Sequence, residues 1–146
     1  MKKTAKKTNY LSGSYRLYSF TNMYLSSIQK GIQTAHLVGN LSCNYPDNTM
    51  YLDWSNFDKT IIVLNGGNSK NIQSIYESII KFVKAYNSSV ENVCSVIPFD
   101  IFNEDTDSLN DATTACGVIL PEVIWSGKSK HDVAFYKYIS QFPLAV

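Results

Sequence analysis

Nowhere in the 146 residues do eighteen apolar residues run together, so the sequence offers no membrane-spanning helix. Cysteine is scarce: Cys43, Cys94 and Cys116 are odd in number, widely spaced and without a C-x-x-C. Neither a disulfide framework nor a zinc site is suggested, and the thiols are expected to act as small buried apolar groups in a reducing cytoplasm. No G-x-S-x-G occurs and no cysteine stands in an electropositive stretch, so a nucleophilic triad cannot be assembled. The acidic stretch DIFNEDTDSLND lacks the glycine and closing glutamate of a calcium loop; counting from Asp105, those positions hold Asn110 and Cys116. The basic start MKKTAKK is followed by TNYLSGSYR where a signal peptide needs an apolar run, so no secretion signal is expected. There is no internal repeat, and no metal or cofactor is expected.

What is present suits one globular domain: 45% hydrophobic residues, ten tyrosines and seven phenylalanines, in a length that can build a core without staples. Four of the thirteen basic residues lie in the first seven positions. The reading is therefore a flexible basic tail over 1–12 and a single α/β domain over 13–146, whose twelve acidic residues outnumber its nine basic ones. Such a body argues against extensive contact with phosphate backbones.

The aromatic run YRLYSFTNMYL (15–25) predicts a strand. Ser26 and Gln29 then form an S-x-x-Q capping box, in which hydroxyl and amide reciprocally satisfy backbone donors at a helix start. MYLDWSNF (50–57) reads as a short helix or irregular segment offering Trp54 and Phe57 to the core, and the β-branched run TIIVLN (60–65) as a strand covered on both faces. Ile72, Ile75, Tyr76, Ile79, Val83 and Tyr86 recur at helical spacing. CSVIPFDIF (94–102) predicts a strand that Pro98 places at an edge or bulge, ACGVILPE (115–122) a fourth strand, and 130–142 a helical or mixed end. Together these indicate a mixed, largely parallel four-stranded sheet flanked by helices.

Within the first helix, SSIQKGIQTAHLVGNL, a projection at about 100° per residue puts Ile28, Ile32, Ala35 and Gly39 in one narrow arc, read as the core face. Ala35 and Gly39 would let a neighbouring backbone approach closely. Gln29, Gln33, His36 and Asn40 fall together in an uncharged stripe beside it. A solvated face normally carries Lys and Glu, so amides and an imidazole in line suggest directed hydrogen bonds to a guest. The alternative is structural: Gln29 as the cap's partner, Gln33 bound to a neighbouring loop, His36 satisfied within the protein. A helix after the first strand begins near that strand's carboxyl end, where ligand crevices of α/β sheets lie.

At this stretch the sequence resembles the type-II peptidyl-tRNA hydrolases, whose first helix carries G-K-x-A-x-Q-x-x-H-A; Gln33, Ala35 and His36 match its Q-x-x-H core. The likeness extends more faintly over residues 15 to 122, through TIIVLNGG and the acidic loop before TTACGVILPE, where that family has a catalytic aspartate, a threonine-containing loop and a closing strand ending in proline. The wording L-S-x-x-Q-x-G-I-Q-x-A-H also resembles small bacteriophage proteins loosely grouped with those hydrolases. The resemblance implies attack of water on the ester joining peptide to tRNA, with candidates His36, Lys30 and Asp105 for catalysis, and homodimerisation. The family's lysine position holds Gln29, with Lys30 next to it but about 100° round the helix. A neutral amide cannot stabilise a developing oxyanion as an ammonium does, a loss of roughly 10² to 10³ in rate.

The expectation is thus a non-catalytic binder in the host cytoplasm. Gln29, Gln33, His36, Asn40, Glu104, Asp105 and Thr114 would hold a nucleotide-like small molecule or an RNA end. Sequestration of a host defence signal is one concrete form of it; an active hydrolase, or a module that packs against a host protein, are the alternatives. Two smaller features remain. Gly66, Gly67 and Ser69, between a strand and a helix, are the residues that would hold a phosphate on free N–H groups. His131, between Lys130 and Asp132, reads as a surface histidine.

Overall fold

Four strands alternate with helices in the computed structural model, which describes residues 13–104 and 112–146. Strand β1 (Tyr15–Asn22) leads into helix α1 (Ser27–Asn44). A short helix α2 (Thr49–Asp53) continues into a wider turn over Trp54–Asp58, after which come β2 (Thr60–Gly67) and the long helix α3 (Ser69–Asn87). Strands β3 (Phe99–Asn103) and β4 (Thr113–Pro121) follow, and two short helices close the chain, α4 (Glu122–Trp125) and α5 (Val133–Ser140).

The sheet order is β2-β1-β4-β3. β1 runs parallel to β2, whereas β4 is antiparallel to both β1 and β3. Three strands therefore share a direction, but only one of the three pairings is parallel. The mixed four-stranded sheet flanked by helices is as the sequence indicates; its ladders are not largely parallel. The two buried strands are the central ones: every residue of β4 is buried, as is all of β1 but Arg16.

The run Thr60–Gly67 is an edge strand, not one covered on both faces: its first half is open and Ile61 is 42% exposed. Its free edge is partly closed by the chain's last residues, since Asn65 N donates to Pro143 O, Ala145 N donates to Val63 O, and Leu64 bridges Leu144. The other edge, β3, is closed by side chains. Tyr45 Oη donates to Phe99 O, and Asn40 Nδ2 to Ile101 O. Blocking a sheet's outer carbonyls in this way removes a template for pairing with another chain.

Both long helices begin at capping boxes. Ser26 Oγ accepts from Gln29 N while Gln29 Oε1 accepts from Ser26 N, and Asn68 and Asn71 do the same at α3. Helix α3 buries Ile72, Ile75, Ile79 and Val83 as its periodicity predicts. Helix α1 does not follow the wheel. Lys30, Gln33, Thr34, Leu37 and Leu41 face the sheet, and Ile28, Ile32, Ala35 and Gly39 face outward. The arc read as core is the outer surface of the helix. Two apolar arcs compete on this helix, and Leu37 and Leu41, both fully buried, occupy the space over β4 and β1. Polar residues on the inward arc find partners, as when Ser19 Oγ and Thr34 Oγ1 meet at 2.8 Å.

The close backbone approach also lies elsewhere than expected. A side-chain carbon on Gly39 would meet nothing within 4 Å, but one on Gly117 would come 2.5 Å from Tyr18 O and 2.7 Å from Leu37 Cδ2. Trp54 is buried, Phe57 is 41% exposed, and of the three thiols only Cys116 is buried; Cys43 and Cys94 are exposed. No helix among the described residues is long and apolar enough to cross a membrane.

Candidate functional site at the polar end of the sheet

The carboxyl ends of β1, β2 and β3 and the start of β4 meet at one end of the sheet, where the backbone ladder gives way to polar side chains. Consecutive residues of β4 point to opposite faces, so Thr113 and Thr114 anchor two separate networks.

On the α1 face, Gln33 is buried and spans the gap between helix and strands. Its Nε2 donates to Glu104 Oε2 at 2.9 Å, and its Oε1 lies 2.9 Å from Thr114 Oγ1, which is itself 3.3 Å from the Phe102 carbonyl. The hydroxyl has one hydrogen to give, so Gln33 and Phe102 share it. One turn further along α1, the exposed His36 ring stacks on Phe102 with centroids 4.8 Å apart and planes 21° from parallel. Gln33, His36, Glu104 and Thr114, all singled out from the sequence, thus come together.

On the α3 face, Asn22 Nδ2 donates to Ser69 Oγ and to Thr113 O, Ser69 Oγ also lies 3.3 Å from Thr113 O, and Gln73 Nε2 donates to Thr113 Oγ1. Thr113 Oγ1 in turn donates to Asn103 Oδ1 at 2.8 Å. Apart from Ser69, none of these was expected at the site, and neither was Phe102. Their signal is positional: each lies in the last or first turn of an element that ends here, which only the sheet order reveals.

No family model matches the sequence, and no curated protein is similar to it. The site's chemistry is therefore read from its geometry.

The remaining candidates sit apart. Gln29 is exposed and closes the capping box. Asn40 serves the β3 edge through Ile101 O. All four members of the stripe are thus on protein groups: Gln29 on the Ser26 backbone, and the three that face the strands, Gln33 and Asn40 by hydrogen bonds and His36 by its ring. Lys30 is buried, and its Nζ donates to the Val146 main-chain oxygen at 3.1 Å. Asp105 lies outside the described residues, as does the basic stretch 1–12.

At the weaker phosphate candidate, Gly67 adopts φ +82°, a left-handed conformation that glycine tolerates. The donors there are largely taken: Gly67 N by Asn65 Oδ1, Asn68 N by Asn71 Oδ1 and Asn71 N by Asn68 Oδ1. An open groove of about 440 Å³ runs beside this turn, past Asn65, Asn71, Tyr138 and Phe142. A partly enclosed apolar cavity of about 130 Å³ lies between the sheet and α4 and α5, among Tyr18, Leu120, Trp125, Tyr136 and Ile139. Neither adjoins Gln33. His131 is exposed, on the rim of a third groove with Asp132 and Tyr86. Among the described residues no three His, Cys, Asp or Glu side chains gather as metal ligands.

Several phenols are held protonated beyond their usual range. Burial raises Tyr45, with Asp100 adding to it against the Phe99 carbonyl bond, and burial with Asp100 raises Tyr76. Burial alone pushes the Cys116 thiol well up, so this cysteine is an inert apolar group.

Proposed function

We propose that the protein is a non-catalytic binder of a nucleotide-like small molecule, on an architecture of the type-II peptidyl-tRNA hydrolase kind and of phage origin. The observation that carries the reading is the Thr114–Gln33–Glu104 chain beside an exposed His36–Phe102 stack. A base or other flat ring stacks on the open face of that imidazole, an interaction worth about 1–3 kcal/mol per base. Glu104, half-buried and fixed through one oxygen by Gln33, has its other oxygen for a ligand hydroxyl or ring N–H. Gln33 acts as a positioning residue, since both ends of its amide are occupied.

The fold part of the proposal is supported by particular placements. The Q-x-x-H helix directly follows the first strand, turns Gln33 and His36 toward β3 and β4, and Thr114 begins a closing strand that ends at Pro121.

The non-catalytic reading is supported by two placements on α1. Gln29 stands at the lysine position with its amide oxygen committed to the helix cap, and the Lys30 ammonium is turned to Val146. Among the described residues, those placed at Glu104 offer a developing oxyanion a carboxylate and neutral groups, which do not lower the barrier to ester hydrolysis. In a phage setting such a binder would act in the host cytoplasm by lowering the free concentration of a nucleotide-derived defence signal.

Mass spectrometry of the purified protein after denaturation, with thermal shifts across a nucleotide panel, tests the proposal. A copurifying or stabilising nucleotide whose effect is lost in His36→Ala and Phe102→Ala supports it; peptide release from peptidyl-tRNA that disappears in His36→Ala overturns it in favour of a hydrolase. No ligand and no shift would overturn it in favour of a module that packs against a protein.

A further inference from the structure

The cavity between the sheet and the helices α4 and α5 is small, uncharged and walled largely by rings. Its volume is about 130 Å³, and none of its nine lining residues carries a charge. Tyr18 and Leu120 come from β1 and β4, Ile124 and Trp125 from α4, and Tyr136 and Ile139 from α5. Packed interiors leave few voids larger than a water molecule, so a space of this size has to be held open.

The walls are fixed by contacts of their own. Trp125 Nε1 donates to Ser14 O at 2.9 Å, and the Arg16 guanidinium lies 3.6 Å over its ring. Tyr136 rests on Gly127, where an added carbon would come 2.8 Å from Tyr136 Cε1. Phe142 meets Phe20 and Tyr138 edge-on, with centroids 5.1 Å and 5.3 Å away. Tyr18 and Leu120 belong to paired central strands. Side chains held in this way do not close the gap, and a guest that enters it pays little to order them.

One buried polar group is left over. Tyr18 borders this space and is only 7% exposed, yet its hydroxyl has no hydrogen-bond partner among the described residues. A buried phenol usually finds one. Ser140 Oγ donates to Tyr136 O and Trp125 Nε1 is committed, so of the lining side chains only the Tyr18 and Tyr136 hydroxyls are left for a guest. Water suits the space poorly, because several molecules would be needed to fill it and each wants two to four polar partners. An ion suits it worse, since nothing in the lining offsets the loss of its hydration.

We propose that this cavity binds a neutral, single-ring aromatic molecule carrying one hydrogen-bonding group, with the ring among Trp125, Tyr136 and Ile139 and the polar group on the Tyr18 hydroxyl. The volume sets the size: an apolar cavity of about 150 Å³ admits benzene, so one ring with an atom or two attached fills this one, and a nucleoside is too large. The site is separate from the Gln33 network and does not depend on the ligand proposed there.

Calorimetric titration of the full chain with phenol, toluene and benzoate tests the proposal. Phenol and toluene are expected to bind one to a chain, and benzoate not measurably. Tyr18→Phe is expected to weaken phenol about fivefold, the worth of one neutral hydrogen bond, and to leave toluene unchanged. Its urea midpoint is expected to match the wild type, because the hydroxyl has no partner to lose. Ile139→Phe, which adds volume inside the cavity, is expected to abolish binding of both rings. Absence of binding by either ring, benzoate binding as tightly as phenol, an equal effect of Tyr18→Phe on phenol and toluene, or phenol binding that survives in a folded Ile139→Phe would each overturn it.

Discussion

Gly117 lies where β4, β1 and α1 are closest, and its missing side chain is what admits Leu37 to the sheet surface. A carbon there would stand 2.5 Å from the Tyr18 carbonyl, which cannot yield without breaking the β1–β4 ladder. Gly117→Ala is therefore expected to destabilise the protein by about 1–3 kcal/mol, the usual cost of forcing extra volume into a packed core; a shift of the urea midpoint with unchanged slope would register it. Gln33 makes the complementary case. Replacing it with Ala leaves Thr114 Oγ1 only its 3.3 Å contact with the Phe102 carbonyl and takes the donor from the half-buried Glu104 Oε2, a cost of about 1 kcal/mol. The double variant Gln33→Leu with Thr114→Val is expected to recover part of that loss, because an apolar pair removes the hydroxyl that the long Phe102 contact holds only weakly; equal stabilities of the single and double variants would refute this account.

Among the elements, α1 shows what sequence can and cannot disclose. Its start was legible because a cap is a local agreement between two side chains and two backbone groups, and Ser26 and Gln29 make it as their spacing says. Ser26→Ala is expected to cost about 1 kcal/mol in unfolding free energy, measured by denaturant titration, with fraying visible as faster amide exchange over the first turn. The orientation of the same helix was not legible. A wheel carrying Ile28, Ile32, Ala35 and Gly39 on one arc and Leu37 and Leu41 on another offers two candidate inner faces, and the choice depends on Gly117 and Ser19, far away in sequence. Likewise α3 was readable since it has one apolar arc only, while β2 misled because its Ile-rich run lies at an edge that the distant residues 143–145 help to close. Half of the site could be named from its helix and loop; Phe102, Asn103 and Gln73 could not, because their membership comes from the order in which strands are laid side by side.

For the whole molecule, the aromatic load sets an upper pH limit. Tyr45, Tyr76 and Tyr86 are each raised above the ordinary value of 10.0 by burial, with nearby carboxylates adding to it. The folded state thus holds protons that the unfolded chain releases as pH passes about 10. Stability from this source is fully present below that pH and is lost as pH rises toward the folded values, since the unfolded chain then binds fewer protons. Urea midpoints are expected to stay level up to about pH 9 and to fall steadily above pH 10; a midpoint independent of pH up to 11 would contradict it.

The last residues of the chain have a consequence of their own. Pro143, Leu144 and Ala145 act as a selvedge, stitched to β2 by Asn65 N, Leu64 and Ala145 N. Trimming them would bare Val63, Leu64 and Asn65 as well as the open first half of the strand, with the Asn65 amide and the Val63 carbonyl unmet, while leaving Lys30 facing nothing where Val146 had been. A shortened chain would then offer its neighbours a sticky border, and pairs joined β2 to β2 would be its natural failure, since the β3 border stays closed.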